Sequence, residues 1–545
     1  MTARTIAGYS EPAGADDFAP GARQTVAPHF QSEAFLQRQG DIVARLPFPD
    51  EGAASGVVSN ARLAMARAWG RLLAVNLPSA TETADEIELL LGGAGWRERE
   101  MLLPELAIFR GAVLALKDDC YAALPIALAA LGARPSPLVT FVAGMLCRLA
   151  FWKMGDLPRF YEARQGMWDA KGRRDNDLFA YDRAMEGAVE FQQLRFGVAG
   201  KLARRAVVLA ERRRYRSAST MLLPTALLAQ LRYEEGALAE AEELLCDCLS
   251  PLRAHGTVES AIRIYPLFAK IAAHRSQTDF AILLLREGER LGEARGWSRL
   301  TALCVQERVE LCVREGQIAE AEQCLEQLRS LLSALEGAPD YTRGANRRAL
   351  VLASFRVATV RGGVASDLVK LRSLHQDAAT VGDLYLAQHL ALRIVEALSL
   401  EGGVEEAVET LIHALEIGAS VGLYQLFLDG GTGMVDMLDL VYGRLSREMG
   451  RRRYLLPYVS SLIEGGRALA EESGSPKSAR MRGCLSSREC SILLLIKRGQ
   501  SNKRIARTLG IAPETVKSHL KNVFLKLGVQ TRAEAVARAD SLRIL

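Results

Sequence analysis

From about Ser59 onward, apolar residues recur every three or four positions in one stretch after another, separated by short polar or Gly-containing breaks. Long Val/Ile/Thr alternations bounded by turn dipeptides, which would mark strands, do not occur. The pattern predicts an all-α protein. Residues 33–47 could form one short helix before "PFPDEGAASG" breaks it, and residues 1–58 as a whole read as a largely disordered segment.

The breaks follow a period. In "YEEGALAEAEELL" (233–245), "AHRSQTDFAILLL" (273–285) and "VREGQIAEAEQCL" (313–325), a small residue ends one helix. Five positions later an alanine opens the buried stripe of the next. Gly236, Ser276 and Gly316 are 40 residues apart, as are Gly362 and Gly402 after a six-residue surplus near "EGAPDYT". Weaker copies sit at Gly155 and at Gly197 or Gly200. The small residue allows a left-handed helix cap, and the alanine lets paired helices approach closely. A 40-residue repeat of paired helices predicts an α-solenoid of the TPR type over residues 59–470. Such a solenoid offers an extended concave surface for a small ligand or a partner protein, and by itself no catalytic constellation.

Residues 471–484, Gly/Ser/Pro-rich and charged, read as a flexible linker. The remainder, 485–545, predicts four short helices. Ser486 and Glu489 make a capping box for the first, whose inward residues are Ile492, Leu493, Leu495 and Ile496. Ser501 caps the second. Pro513 opens the third, with Val516, Leu520, Val523, Phe524 and Leu527 in one inward stripe. Thr531 and Glu534 open the fourth, with Ala533, Val536 and Ala537 on one side. The tight turn at Gly510-Ile511 crosses helices two and three steeply, as in a helix-turn-helix. The third helix turns Glu514, Thr515, Lys517, Ser518, Lys521, Asn522 and Lys526 outward, a cationic and hydrogen-bonding face of a width that fits a major groove.

Charge sharpens this division. The net charge is +5, yet from Arg480 to Leu545 there are 14 Lys/Arg against 4 Asp/Glu, leaving 55 against 60 in the rest. A basic module behind a mildly acidic body is the electrostatic footprint of nucleic-acid binding. The nine cysteines form no CxxC pair and the seven histidines do not cluster with them, so buried free thiols are expected and no metal site. No apolar run reaches ~18 residues, which argues against a membrane span and for a cytoplasmic protein. No catalytic constellation stands out, so no enzyme is expected.

Residues 485–540 resemble the LuxR-type helix-turn-helix of bacterial transcription regulators, in "LSSRE", "SNKRIA", "LGI", "TVKSHLKNVF" and "AEAV". The resemblance implies binding of double-stranded promoter DNA as a homodimer. By position, Lys517, Ser518 and Lys521 would face bases. Thr515 and Asn502 would contact phosphates, assisted by Lys503 and Lys526, with His519 structural or phosphate-facing. Ala533, Val536 and Ala537 would lie at the helix-four dimer contact. Two residues depart from the pattern: Arg504 replaces an acidic residue and Ala512 a hydroxyl cap. Residues 413–439, with "LFLDGG", are similar to the stretch that precedes this module in the MalT-like group. There a helical-repeat sensor controls transcription, so a small-molecule inducer or protein partner in the solenoid groove, contact with RNA polymerase and an activator role are implied. The family's nucleotide-binding module is not seen: no G-x-x-x-x-G-K-[ST] occurs, and no cofactor or ATPase activity is expected. A scaffold whose solenoid binds a protein, with DNA binding secondary, is the alternative.

Overall fold

The computed structural model describes residues 60–73, 75, 77–132, 136–168, 177–211, 218–447, 450–474, 487–509, 511–527, 529 and 531–541. The expectations for residues 1–58, for linker residues 475–484 and for Ser486 fall outside these residues; residues 471–474, expected in the linker, are helical instead. Among the described residues there is no strand.

The helices run in order α1 (Asn60–Leu73), α2 (Leu77–Gly92), α3 (Trp96–Leu116), α4 (Cys120–Gly132), α5 (Pro137–Met154), α6 (Leu157–Trp168), α7 (Asp177–Gln192) and α8 (Phe196–Glu211). Then come α9 (Ala218–Glu234), α10 (Leu238–Cys246), α11 (Leu249–His255), α12 (Val258–His274), α13 (Thr278–Arg295), α14 (Ser298–Arg314) and α15 (Ile318–Ser333). The last repeats hold α16 (Asp340–Arg361), α17 (Ala365–Thr380), α18 (Leu384–Leu400), α19 (Val404–Val421), α20 (Gln425–Leu428), α21 (Gly431–Arg447) and α22 (Leu456–Gly474). The terminal module is α23 (Ser487–Lys497), α24 (Asn502–Leu509), α25 (Pro513–Leu527) and α26 (Arg532–Ser541).

The repeat is built by one backbone device used again and again. Each inner helix ends on a residue with positive φ: Val75, Asp118, Gly155, Leu194, Gly236, Ser276, Gly316, Gly362 and Gly402. At Ser276 the full Schellman pattern is present, with Ser276 N donating to Ala273 O and Gln277 N to Ala272 O. Five positions beyond these residues stand Ala80, Ala123, Phe160, Ala199, Ala241, Ala281, Ala321, Asp367 and Ala407, all buried. Small residues there let the outer helix lie close against the inner one. The six-residue surplus is absorbed near α16, which has 22 residues against 17 in α14 and α18. The copy read at Gly197 or Gly200 is displaced: both glycines lie inside α8, and the left-handed residue is Leu194. Burial of the Leu194 side chain in the core holds a conformation that the backbone alone disfavours.

The superhelix returns on itself. Inner helices α12, α14, α16 and α18 share its inner face with α5 and α7, and residues far apart in sequence meet there. Arg299 Nε donates to Asp118 Oδ2 at 2.8 Å, Trp297 Nε1 to Leu116 O at 3.0 Å, and Gln192 Nε2 to Asp383 Oδ2 at 3.1 Å. At the next level Tyr233 and His274 hold Asp429, each at 2.8 Å. A side chain on Gly155 would collide with Val381. Arg148, fully inaccessible, is paired: it bonds Asp182 and Glu186 and lies over the Phe160 ring at 4.3 Å. Seven cysteines whose side chains are described are free thiols, six of them buried.

Candidate nucleic-acid interface

The terminal module packs around Ile492, Leu495, Ile496, Ile505, Ala506, Val516 and Leu520, with Leu509, Ile511, Phe524 and Val536 closing its edges. The apolar spacing in each short helix assembles this core, and α25 contributes one full stripe: Val516, Leu520 and Val523 are buried. Ser501 Oγ accepts from Arg504 N at 3.4 Å, so Ser501 caps α24 without an acidic partner. Ile511 N donates to Ala506 O at 3.0 Å, tying the turn between α24 and α25. Ala512 starts α25 through its carbonyl alone, accepting from Val516 N at 3.2 Å. Thr531 Oγ1 accepts from Glu534 N at 3.2 Å and caps α26.

The opposite side of α25 is exposed at Glu514, Thr515, Lys517, Ser518 and Lys521. Lys517 Nζ lies 3.1 Å from Glu514, a solvent-exposed intrahelical pair. Ser518 Oγ donates to Glu514 O at 3.1 Å. Lys521 extends from the same face. Lys503 is exposed at the start of α24, while Asn502 and His519 are half-buried. The side chains of Asn522 and Lys526 lie outside the described residues. On α26, Ala533 and Ala537 are exposed and Val536 is half-buried against the module core.

One positioning residue escaped the sequence reading. Arg532 Nη1 donates to Asn502 Oδ1 at 2.6 Å and Arg532 Nη2 to Gln500 O at 2.7 Å, fastening α26 to the start of α24. The Asn502 amide oxygen is thereby engaged, and its NH2 is the group left to donate to an anion. Nothing local marks Arg532, because its partners lie 30 and 32 residues back.

The module also touches the body. Arg498 Nη2 donates to the buried Glu242 at 2.5 Å, and Arg275 pairs with the other Glu242 oxygen at 2.7 Å. Arg253, held by Glu287, donates to Thr508 O at 2.6 Å. Helix α23 lies against α13 and α24 against α11. In this arrangement Lys517, Ser518 and Lys521 remain on the exposed side.

Two family models match. "Bacterial regulatory proteins, luxR family" covers residues 484–539, and "MalT-like TPR region" covers residues 107–442. The HTH-type transcriptional regulator MalT of Vibrio campbellii is 32% identical over 166 residues, 27% of this chain and 18% of that protein. Its counterpart in Vibrio cholerae is 32% identical over 163 residues, with the same coverage. The monoamine regulon transcriptional regulator of Klebsiella aerogenes is 39% identical over 93 residues, 17% of this chain and 37% of that one. The matched stretches therefore span well under half of these relatives. Among solved structures, a Rap protein complexed with competence and sporulation factor superposes with a TM-score of 0.50 at 13% identity, over 66% of this chain and 98% of that one. That likeness concerns the helical-repeat fold alone.

Proposed function

We propose, from the premise that this chain belongs to the MalT-like helical-repeat family and ends in a LuxR-type DNA-binding module, that it regulates transcription by laying α25 into the major groove of promoter DNA. One observation carries this reading: a single helix sets Lys517, Ser518 and Lys521 in solvent directly opposite the buried Val516, Leu520 and Val523. Helices of this width enter a major groove N-terminus first, and their Lys and Ser groups reach base edges. Thr515, Lys503, His519 and the free amide NH2 of Asn502 surround that face and, with Lys526, hold phosphates, which set register without reading sequence. The exposed Ala533 and Ala537, with Val536 beside them, form the contact between two modules on adjacent half-sites. The module boundary falls within 471–484, and residues 59–470 form the sensor.

The solenoid receives the signal, a small molecule or a protein, and the chain works as an activator that contacts RNA polymerase. Switching the population from 1:99 to 99:1 takes roughly 5.5 kcal/mol of preferential binding to the DNA-competent state. The decisive experiment selects duplexes from a random pool with the full chain, then measures anisotropy on selected and scrambled duplexes. Lys521→Ala should cost about 1–3 kcal/mol on the selected duplex and little on the scrambled one. Lys503→Ala should weaken both alike and flatten the salt dependence by about one counterion. A chain that prefers no duplex, whose solenoid still captures a protein, is an adaptor instead.

A further inference from the structure

The N-terminal repeats and α12 enclose a cavity of about 100 Å³. Most of its wall is hydrocarbon: Leu72 of α1, Ala112 of α3, Val142 and Leu146 of α5, and Val258 of α12. One end differs. Lys153, Glu259 and Asp118 line it, with Lys153 Nζ 2.5 Å from Glu259 Oε1, while Arg263 and Arg299 stand behind the wall. The same carboxylate takes Arg299 at 2.7 Å and Arg263 at 3.1 Å, and Arg299 passes on to Asp118 at 2.7 Å. Three cations thus converge on two carboxylates, and all five side chains are buried to nine-tenths or more. The next pair along the inner face, Arg348 and Asp383, acts on this cluster but adds one charge of each sign. The cluster therefore holds one positive charge in excess, out of water, where an uncompensated charge is costly. Burial, helped by the neighbouring guanidiniums, pulls the Lys153 ammonium down to about 8 despite its bond to Glu259.

We propose that this cavity is the sensor's effector site and that its ligand is a small amphiphilic carboxylic acid, with a single ring or short branched chain in the apolar part and the carboxylate against Lys153. The excess cation selects the charge of the ligand, and the wall selects its body. An apolar cavity of about 150 Å³ accepts benzene, so about 100 Å³ leaves room for no more than one ring or a short acyl chain. A sugar would lay unpaired hydroxyls against Leu, Val and Ala. A peptide could place no more than one side chain in this volume. A neutral hydrocarbon would leave the surplus charge as it is. Because the wall joins α1, α3 and α5 to α12, a bound acid would tie the first repeats to the middle of the superhelix. The word effector rests on the regulator reading; the binding does not.

Calorimetry on the full chain with phenylacetate and isovalerate, against phenylacetamide, isovaleramide and maltotriose, tests this without DNA. Both acids should bind, each about tenfold or more tighter than its amide, as expected for a charge-assisted bond. Lys153→Met leaves Arg263 and Arg299 balanced against Glu259 and Asp118, so the fold should survive while the preference for acid over amide falls to about one. Ala112→Leu fills the cavity and should abolish binding of both. No heat from either acid, equal affinity for acid and amide in the unaltered protein, or an undiminished preference in Lys153→Met overturns the site. Tighter binding of maltotriose overturns the ligand class. A chain that binds no acid but still prefers selected duplexes loses the site and keeps the regulator reading, and a chain that binds acid but ignores DNA does the reverse.

Discussion

Ala512 begins α25 with no side-chain acceptor, although the amide of Thr515 lies within a cap's reach and bonds only the Ala512 carbonyl, at 3.0 Å. A hydroxyl at that position would satisfy one of the free N–H groups of the first turn. Ala512→Ser should therefore raise the stability of the terminal module by about 1 kcal/mol, read as a rise in the urea midpoint. Residue by residue, the interface was legible wherever a property is local. Val516, Leu520 and Val523 declare themselves by spacing, and Lys517 and Lys521 by standing opposite. Arg532 did not, because the Gln500 carbonyl and Asn502 amide it fastens belong to the turn before α24 and to α24 itself. The same is true of Arg498, whose partner Glu242 stands 256 residues earlier. Sequence periodicity reports which side of a helix is wet, and it carries no information on which distant carboxylate will meet it.

At the scale of the paired helices, the left-handed residue sets the repeat. Ser276 has φ 56°, a conformation that costs an L-residue roughly 1–2 kcal/mol and a glycine almost nothing. Ser276→Gly should stabilise the solenoid by about 0.5–1 kcal/mol after the extra freedom of glycine in the unfolded chain is subtracted. A methyl group on Gly316, at φ 73°, would meet no other atom within 4 Å, so Gly316→Ala should cost about 1 kcal/mol through backbone strain alone. Both changes are measurable by differential calorimetry, and a cost for Ser276→Gly would contradict the cap. The repeat was legible where glycine or the small Ser276 fills this position and hidden where a larger residue does. Val75, Asp118 and Leu194 occupy the same conformation with ordinary side chains, and at Leu194 core packing supplies what glycine supplies elsewhere. The alanine five positions on is the more durable mark, although Phe160 and Asp367 break it.

Across the whole molecule, buried carboxylates on the inner face make stability depend on pH. Glu234 is buried where α9 meets α20; burial raises it to about 7, against the bonds donated by Tyr385 and Leu426 N. Its folded value lies above 4.5, so the folded chain takes up a proton that the unfolded chain releases. The sign follows: stability from this group is fully present below 4.5 and declines as pH rises through about 7. Asp429 runs the other way. His274 and Lys270 hold it down to about 2, so its contribution is intact above 3.8 and lost only in stronger acid. His389, buried and held well below 6.5, has the opposite slope, so the test is a difference: between about pH 5 and pH 7 the urea midpoint of the unaltered chain should fall relative to that of Glu234→Gln.

The contacts of Gln192 with Asp383, Tyr233 with Asp429 and Arg299 with Asp118 join turns of chain that are 181 to 196 residues apart. An open ladder of repeats can fray rung by rung from either end. This one is a hoop, and a hoop does not loosen until it is cut. Indole fluorescence and far-ultraviolet dichroism should thus lose their signals from α1–α22 at one common midpoint, where a ladder of the same length would melt in stages.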